Sequence, residues 1–279
     1  MAIFYVDGKF VASDRAVIPV DDLAVLRGIG VCDLMRTFQG KPYFLKEHLE
    51  RLEQSARAVD IVLKWRLEEI KAIVLETLDR NREMTEANIR IIVTGGSSTD
   101  FITPQGNPRL IVLVTRIPPL PPEWYQNGVK VITVNQEREV PEAKSLSYIP
   151  AALALKKAKS LQAVEALYVN RDGFVKEGTT SNLFAVLNAH LVTPEDKVLK
   201  GITRKVILSL AGKIMTVELR PIPLTELLCA QEVFITGTNK GVVPVVKIDD
   251  TTIGDGRIGE KTRQIIRALD EHTLNFQKE

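Results

Sequence analysis

The sequence predicts an α+β chain, a small mixed domain followed by a larger strand-rich one. Three observations carry this. The 279 residues are about twice the roughly 150 expected of one domain. Hydrophobic periodicity alternates between 2 and 3.6 along the chain. The run Pro118-Pro-Leu-Pro-Pro122 places four prolines in five residues, which neither a helix nor a central strand can hold. It marks a boundary: a first domain over 1–117, a linker over 118–124, and a second domain over 125–279. The alternative for the proline run is an edge loop inside one domain.

The elements follow in order. Residues 3–6 and 10–12 flank Asp7-Gly8, a type I′ turn signal, and predict a hairpin. Residues 34–39 and 42–45 flank Gly40-Lys41 in the same way. The period then changes: Leu49, Leu52 and Ala56 fall at helical spacing within 46–59, and 67–78 repeats the pattern. Strands are expected over 87–94 and 109–115, around a Gly-, Ser-, Thr- and Pro-rich loop over 95–107. In the second half, 129–134 reads as a strand and 148–160 as a helix. Residues 166–170 and 174–187 form a hairpin around Arg171-Asp172-Gly173. Residues 203–214 and 261–270 are amphipathic helices.

Composition excludes several classes. Lys and Arg number 37 against 35 Asp and Glu, a net charge of +2, so charge alone calls for neither nucleic acid nor an anionic membrane. Two cysteines far apart, Cys32 and Cys229, rule out a disulfide scaffold and a Cys-rich zinc site. His48, His190 and His272 are scattered, so no metal site is expected. No apolar run nears the ~20 residues of a membrane span, and the N-terminus lacks the form of a signal peptide. The expectation is a cytoplasmic protein.

Familiar catalytic motifs fail. Gly28-Ile29-Gly30 continues as Val-Cys-Asp, which breaks the dinucleotide fingerprint; P-loop, serine-hydrolase and zinc-protease signatures are missing. Two anion cradles remain. Lys200-Gly-Ile-Thr-Arg204 precedes an apolar-periodic helix, where free N–H groups, a glycine and a hydroxyl suit a phosphate. Phe234-Ile-Thr-Gly-Thr-Asn-Lys-Gly241 follows a strand and can form a backbone nest. The alternatives are a capped helix start and a plain turn. Glu177-Gly-Thr-Thr-Ser-Asn182 puts small polar residues inside an apolar strand run, which is costly unless something pairs with them; the alternative is an exposed strand or bulge. Lys144 lies between a strand and a helix, where a lysine is ordinarily a solvated cation. A phosphate cradle, a carboxylate and a lysine are together what pyridoxal 5′-phosphate requires.

At these residues the sequence resembles the fold-type IV (class IV) pyridoxal-phosphate aminotransferases, which include D-amino acid and branched-chain aminotransferases and aminodeoxychorismate lyases. Leu26-Arg-Gly-Ile-Gly-Val-Cys-Asp33, Leu45-Lys-Glu-His-Leu-Glu-Arg-Leu52, Glu177-Gly-Thr-Thr-Ser-Asn-Leu-Phe184 and Leu199-Lys-Gly-Ile-Thr-Arg204 match the family's motifs in order. The resemblance implies a small two-layer α/β domain, a larger pseudo-barrel domain with the cofactor between the two, and a homodimer. It implies Lys144 as Schiff-base lysine and proton shuttle, Glu177 at the pyridine nitrogen, and Tyr148 near the ring oxygen. It places Arg51, Ile202, Thr203 and Thr238 at the phosphate. It implies a ping-pong transfer from an amino acid to a 2-oxo acid such as 2-oxoglutarate or pyruvate.

The substrate's hand is open. Asn88-Ile89-Arg90 stands where branched-chain enzymes usually show Tyr-x-Arg, and Gly237-Thr238-Asn239 where they show Gly-Thr-Ala. Residues 95–101 lack the Arg-x-His pair of familiar D-amino acid enzymes. The expectation leans to a D-amino acid substrate held by Arg27, Arg90 and Asn239. A branched-chain L-aminotransferase is the alternative, and aminodeoxychorismate lyase a further one.

Overall fold

The computed structural model describes residues 1–276. The chain divides into two compact units, Met1–Pro118 with Glu142–Tyr148, and Pro119–Pro141 with Ile149–Glu279. Residues 142–148, expected in the second domain, therefore cluster with the first. The expected second domain ends at 279, and its last three residues lie outside those described.

The first unit is a six-stranded antiparallel sheet with helices on one face. Its strands are β1 (Ile3–Val6), β2 (Lys9–Ala12), β3 (Gly30–Phe38), β4 (Lys41–Pro42), β5 (Ala87–Thr94) and β6 (Leu110–Arg116), in the order β2-β1-β6-β5-β3-β4. Asp7 and Gly8 both have positive φ, as the turn signal requires. The second hairpin turns one residue earlier than expected, at Gln39-Gly40, both at positive φ. Its return strand stops at Pro42 and the chain enters a helix at Leu45.

A short helix, α1 (Leu23–Arg27), precedes β3 and is not legible in the periodicity. Helices α2 (Leu45–Ala58) and α3 (Leu67–Asp79) cover one face of the sheet. Leu49, Leu52, Ala56, Ile70 and Val74 from the helices pack on Val31, Met35, Ile89, Ile91 and Val93 from the strands. Alternate strand positions thus build one buried layer.

The second unit is a ten-stranded mixed sheet. The expected linker runs into a short helix, α4 (Glu123–Asn127), which begins after Pro122. The chain continues through β7 (Val129–Asn135), α5 (Ile149–Ser160), β8 (Glu165–Val169), β9 (Phe174–Gly178), β10 (Asn182–Leu187), β11 (His190–Thr193), α6 (Ile202–Ala211), β12 (Val217–Leu219), β13 (Ile222–Pro223) and α7 (Leu224–Leu227). It ends with β14 (Glu232–Gly237), β15 (Gly241–Ile248), β16 (Thr251–Thr252) and α8 (Glu260–Phe276). The order is β12-β11-β10-β14-β15-β7-β8-β9-β13, with β16 on β15. Strands β7 and β8 pair in parallel, with α5 as the crossover between them.

The strand expected over 174–187 is two strands, broken at Thr179-Thr180-Ser181. At the break Gly178 N–H donates to Ser181 C=O, so β9 and β10 approach each other from distant positions in the sheet order. The sheet is therefore curled into a half-barrel. Its inside is filled by Val131, Leu167, Val175, Leu183, Ile235 and Val243.

Candidate active site

In the first unit the site residues gather on β3 and α2. Only the C-terminal end of β3 pairs with β4, which leaves its Gly30–Cys32 end unpaired on that side. Residues 144–146 fill this edge: Cys32 N–H donates to Lys144 C=O at 2.8 Å, and Leu146 N–H to Gly30 C=O at 2.9 Å. The Lys144 N–H donates to the buried Ser55 hydroxyl on α2 at 3.1 Å. The backbone around Lys144 is thus fixed at three points, while the Nζ of this half-buried residue donates to the Tyr148 hydroxyl at 3.4 Å.

Beneath β3, Asp33 is fully buried. Arg51 grips it with a fork, Nε to Oδ2 at 2.9 Å and Nη2 to Oδ1 at 2.8 Å, and His48 Nδ1 lies 2.6 Å from Oδ1. The spacing of His48 and Arg51, one helical turn apart, sets both on one face of α2. Burial alone would raise the Asp33 pKa; the Arg51 charge, then His48, outweigh it and hold the carboxyl well below the usual range. Arg51, expected at a phosphate, therefore has part of its fork committed to Asp33.

Cys32 points to the opposite face of β3 from Asp33. Burial pushes its thiol up, against the nearby charges of Lys144, Arg90 and Arg51. Arg90 is exposed on the neighbouring strand β5, opposite Leu34. Arg27 is exposed at the end of α1, where its Nη1 donates to Leu26 C=O at 3.1 Å.

In the second unit, Glu177 lies buried on β9. Its Oε1 accepts from Arg138 at 3.0 Å; its Oε2 accepts from Leu199 N–H at 3.1 Å and Asn182 Nδ2 at 3.3 Å. Asn182 also donates to Leu199 C=O at 2.8 Å. The carboxylate is thereby tied to the loop that leads into α6. No side chain caps α6, so the N–H groups at Ile202 and Thr203 face outward from an uncapped helix start. A Cβ on Gly201 would collide with Asn182 Oδ1, so only glycine allows this approach. An uncapped start with a glycine N-cap suits an anion.

Thr238 and Asn239 occupy the turn between β14 and β15, and Asn239 Oδ1 is buried with no hydrogen-bond partner. That orphaned acceptor is the kind of atom a bound molecule satisfies.

The small polar residues at 179–181 do have a partner, Glu165, which is fully buried. Its carboxylate accepts from the hydroxyls of Thr179, Thr180 and Ser181, and from Lys240 Nζ at 2.8 Å. Burial would raise its pKa, but Lys240 first and the Thr179 and Thr180 hydroxyls next lower it below the usual range. Sequence reasoning misses Asp33, Arg138, Glu165 and Lys240. The unmet polarity of 179–181 is the one signal that points toward Glu165.

Among the described residues there is no cluster of three or more potential metal ligands, and no helix is long and apolar enough to cross a membrane.

Comparison with known proteins adds three findings. The amino-transferase class IV family profile matches residues 30–248. Curated relatives include a putative branched-chain-amino-acid aminotransferase of Methanocaldococcus jannaschii, 38% identical over 94% of this chain and 93% of its own. They also include the D-alanine aminotransferase of Bacillus licheniformis, 32% identical over 96% of each chain. Among solved structures, a T.th. branched-chain amino acid aminotransferase with pyridoxamine 5′-phosphate superposes with a TM-score of 0.91 at 27% identity, covering 98% of this chain and 94% of that one.

Proposed function

The chain belongs to the class IV aminotransferases, and from that premise we propose that it moves an amino group from a D-amino acid to a 2-oxo acid such as 2-oxoglutarate or pyruvate, with pyridoxal 5′-phosphate as cofactor. It is a transaminase of fold type IV. The observation that carries the assignment of roles is Lys144. The backbone around it is held at three points while its amine has no acidic partner among the described residues, which leaves Nζ available for covalent chemistry.

When bound, the cofactor supplies an electron sink that lowers the cost of removing the substrate's Cα proton. Lys144 Nζ takes that proton and returns it, and the Tyr148 hydroxyl orients the amine. Glu177, fixed by Arg138, Asn182 and Leu199, would hold a proton on the ring nitrogen. Arg51, Ile202, Thr203 and Thr238 are the residues that would hold its phosphate, the last three partly through backbone N–H groups. The uncapped start of α6 and the glycine-only approach at Gly201 fit that group.

Arg90 and Arg27 offer forks for the substrate carboxylate, and Asn239 an amide. The D-amino acid reading is supported by the D-alanine aminotransferase relative and by Asn88 and Asn239, which depart from the branched-chain pattern. A branched-chain L-amino acid is the second reading, favoured by the 38% identical relative. The working unit is a cytoplasmic homodimer.

The test is a screen of D- and L-amino acids against the purified protein, read by the cofactor's absorption change and by keto acid release. D-amino acids should react and L-leucine should not; the reverse establishes the second reading. Lys144→Ala should retain the fold by circular dichroism yet lose turnover, and normal transamination by that variant would remove Lys144 from its role.

A further inference from the structure

The turn between β14 and β15 carries two of the residues assigned to ligand binding, Thr238 and Asn239. The next residue, Lys240, does something different. It completes the three-residue turn, with its N–H donating to Gly237 C=O at 3.1 Å and Gly241 at positive φ closing the hairpin. Its carbonyl accepts from the Tyr125 hydroxyl on α4 at 2.8 Å. Its ammonium turns back into the protein, 2.8 Å from Glu165 Oε2 and 2.6 Å from Thr180 Oγ1. Only 16% of the side chain is exposed.

Glu165 is the hub to which the whole 179–181 turn is tied. Thr179 and Thr180 bond it through their hydroxyls, Ser181 through its hydroxyl at 3.0 Å, and Thr180 through its N–H as well. That turn separates Glu177 from Asn182, and Asn182 in turn spaces Gly201 at the start of α6. The two turns also meet directly: a Cβ on Gly237 would lie 3.3 Å from Thr180 C=O.

We propose that Lys240 is a positioning residue for the phosphate end of the cofactor site: through Glu165 it locks the 237–241 turn against the 179–181 turn. The inference rests on the functional reading above. Lys240 needs no contact with the cofactor; it fixes where the Thr238 donors sit. The hairpin's own bond to Gly237 and the bond from Tyr125 remain when the ammonium is removed. The turn therefore keeps its shape and loses only its lateral anchor.

The test compares two ligands on the full chain by equilibrium dialysis, pyridoxal 5′-phosphate and pyridoxal, which lacks the phosphate. Lys240→Met should bind pyridoxal 5′-phosphate about tenfold more weakly, the size of one phosphate hydrogen bond lost when the Thr238 donors shift, and pyridoxal with little change. The double variant E165Q/K240M removes the buried carboxylate left without its cation. It should recover the melting temperature but keep the weakened binding of the phosphorylated ligand. It also serves if K240M alone does not fold. The proposal is overturned if K240M binds pyridoxal 5′-phosphate as wild type does, if both ligands weaken equally, or if the double variant restores the phosphorylated ligand. A wild-type protein that binds no pyridoxal 5′-phosphate overturns the functional reading and this inference together; a normal wild type beside an unchanged K240M overturns this inference alone.

Discussion

Asp33 in the first unit and Glu165 in the second are both fully buried carboxylates, and each meets one basic side chain, Arg51 or Lys240. Their surroundings differ. Asp33 sits on a strand and is gripped by residues one turn apart on a helix, His48 and the planar fork of Arg51. Glu165 starts a strand and is satisfied by a turn, three hydroxyls and the single ammonium of Lys240. An arginine fork supplies direction and two bonds at once, whereas a lysine supplies a point charge and leaves the remaining lone pairs to neighbours. The first carboxylate therefore depends mainly on one partner, and the second spreads its dependence over four.

The largest expected effect follows at Arg51. Arg51→Met leaves Asp33 charged and buried and should cost about 3–5 kcal/mol, read from urea unfolding. Lys240→Met should cost less, because the hydroxyls remain. Equal losses would break the contrast.

A smaller effect is expected with acid. The folded pKa of Asp33 lies below its unfolded value of about 3.9, so its stabilisation is present above that pH and fades as pH falls toward the folded value. Glu165 shifts the same way. Wild-type stability should fall below about pH 4, and Asp33→Asn should lose that part of the slope. A variant with an unchanged acid limb removes Asp33 from the effect.

The smallest effect is at the turn. Thr180→Val removes one of several donors to Glu165 and should cost about 1 kcal/mol. A loss as large as that of Lys240→Met would show that the turn, and not the ammonium, carries the carboxylate.

The same contrast explains what the sequence discloses. Local signals are readable: the Asp7-Gly8 turn, both amphipathic helices of the first unit, and the helical spacing of His48 and Arg51. The family motifs name Lys144, Glu177 and the start of α6. Partners distant in sequence are not readable. The polar run at 179–181 announces an unmet need, but Glu165 lies 15 residues from Thr180, and Lys240 lies 75 residues from Glu165. Arg138 reaches Glu177 across 39 residues. Nothing in a linear pattern records which buried charge meets which turn. The break at 179–181 is hidden for the same reason, since the apolar run continues on both sides of it.

The segment at 142–148 has a consequence for synthesis. The first unit includes residues up to 118 and then these seven, which complete the open edge of β3. A ribosome adding about 5–20 residues per second delivers them only seconds after the rest of that unit. Until then Gly30–Cys32 present an unfilled strand edge, the kind of surface that invites pairing with another chain. A gene fragment ending at the proline run would keep that edge permanently. Its product should aggregate where the full chain stays dispersed, so the lysine segment acts as a late-arriving plug as well as a source of chemistry.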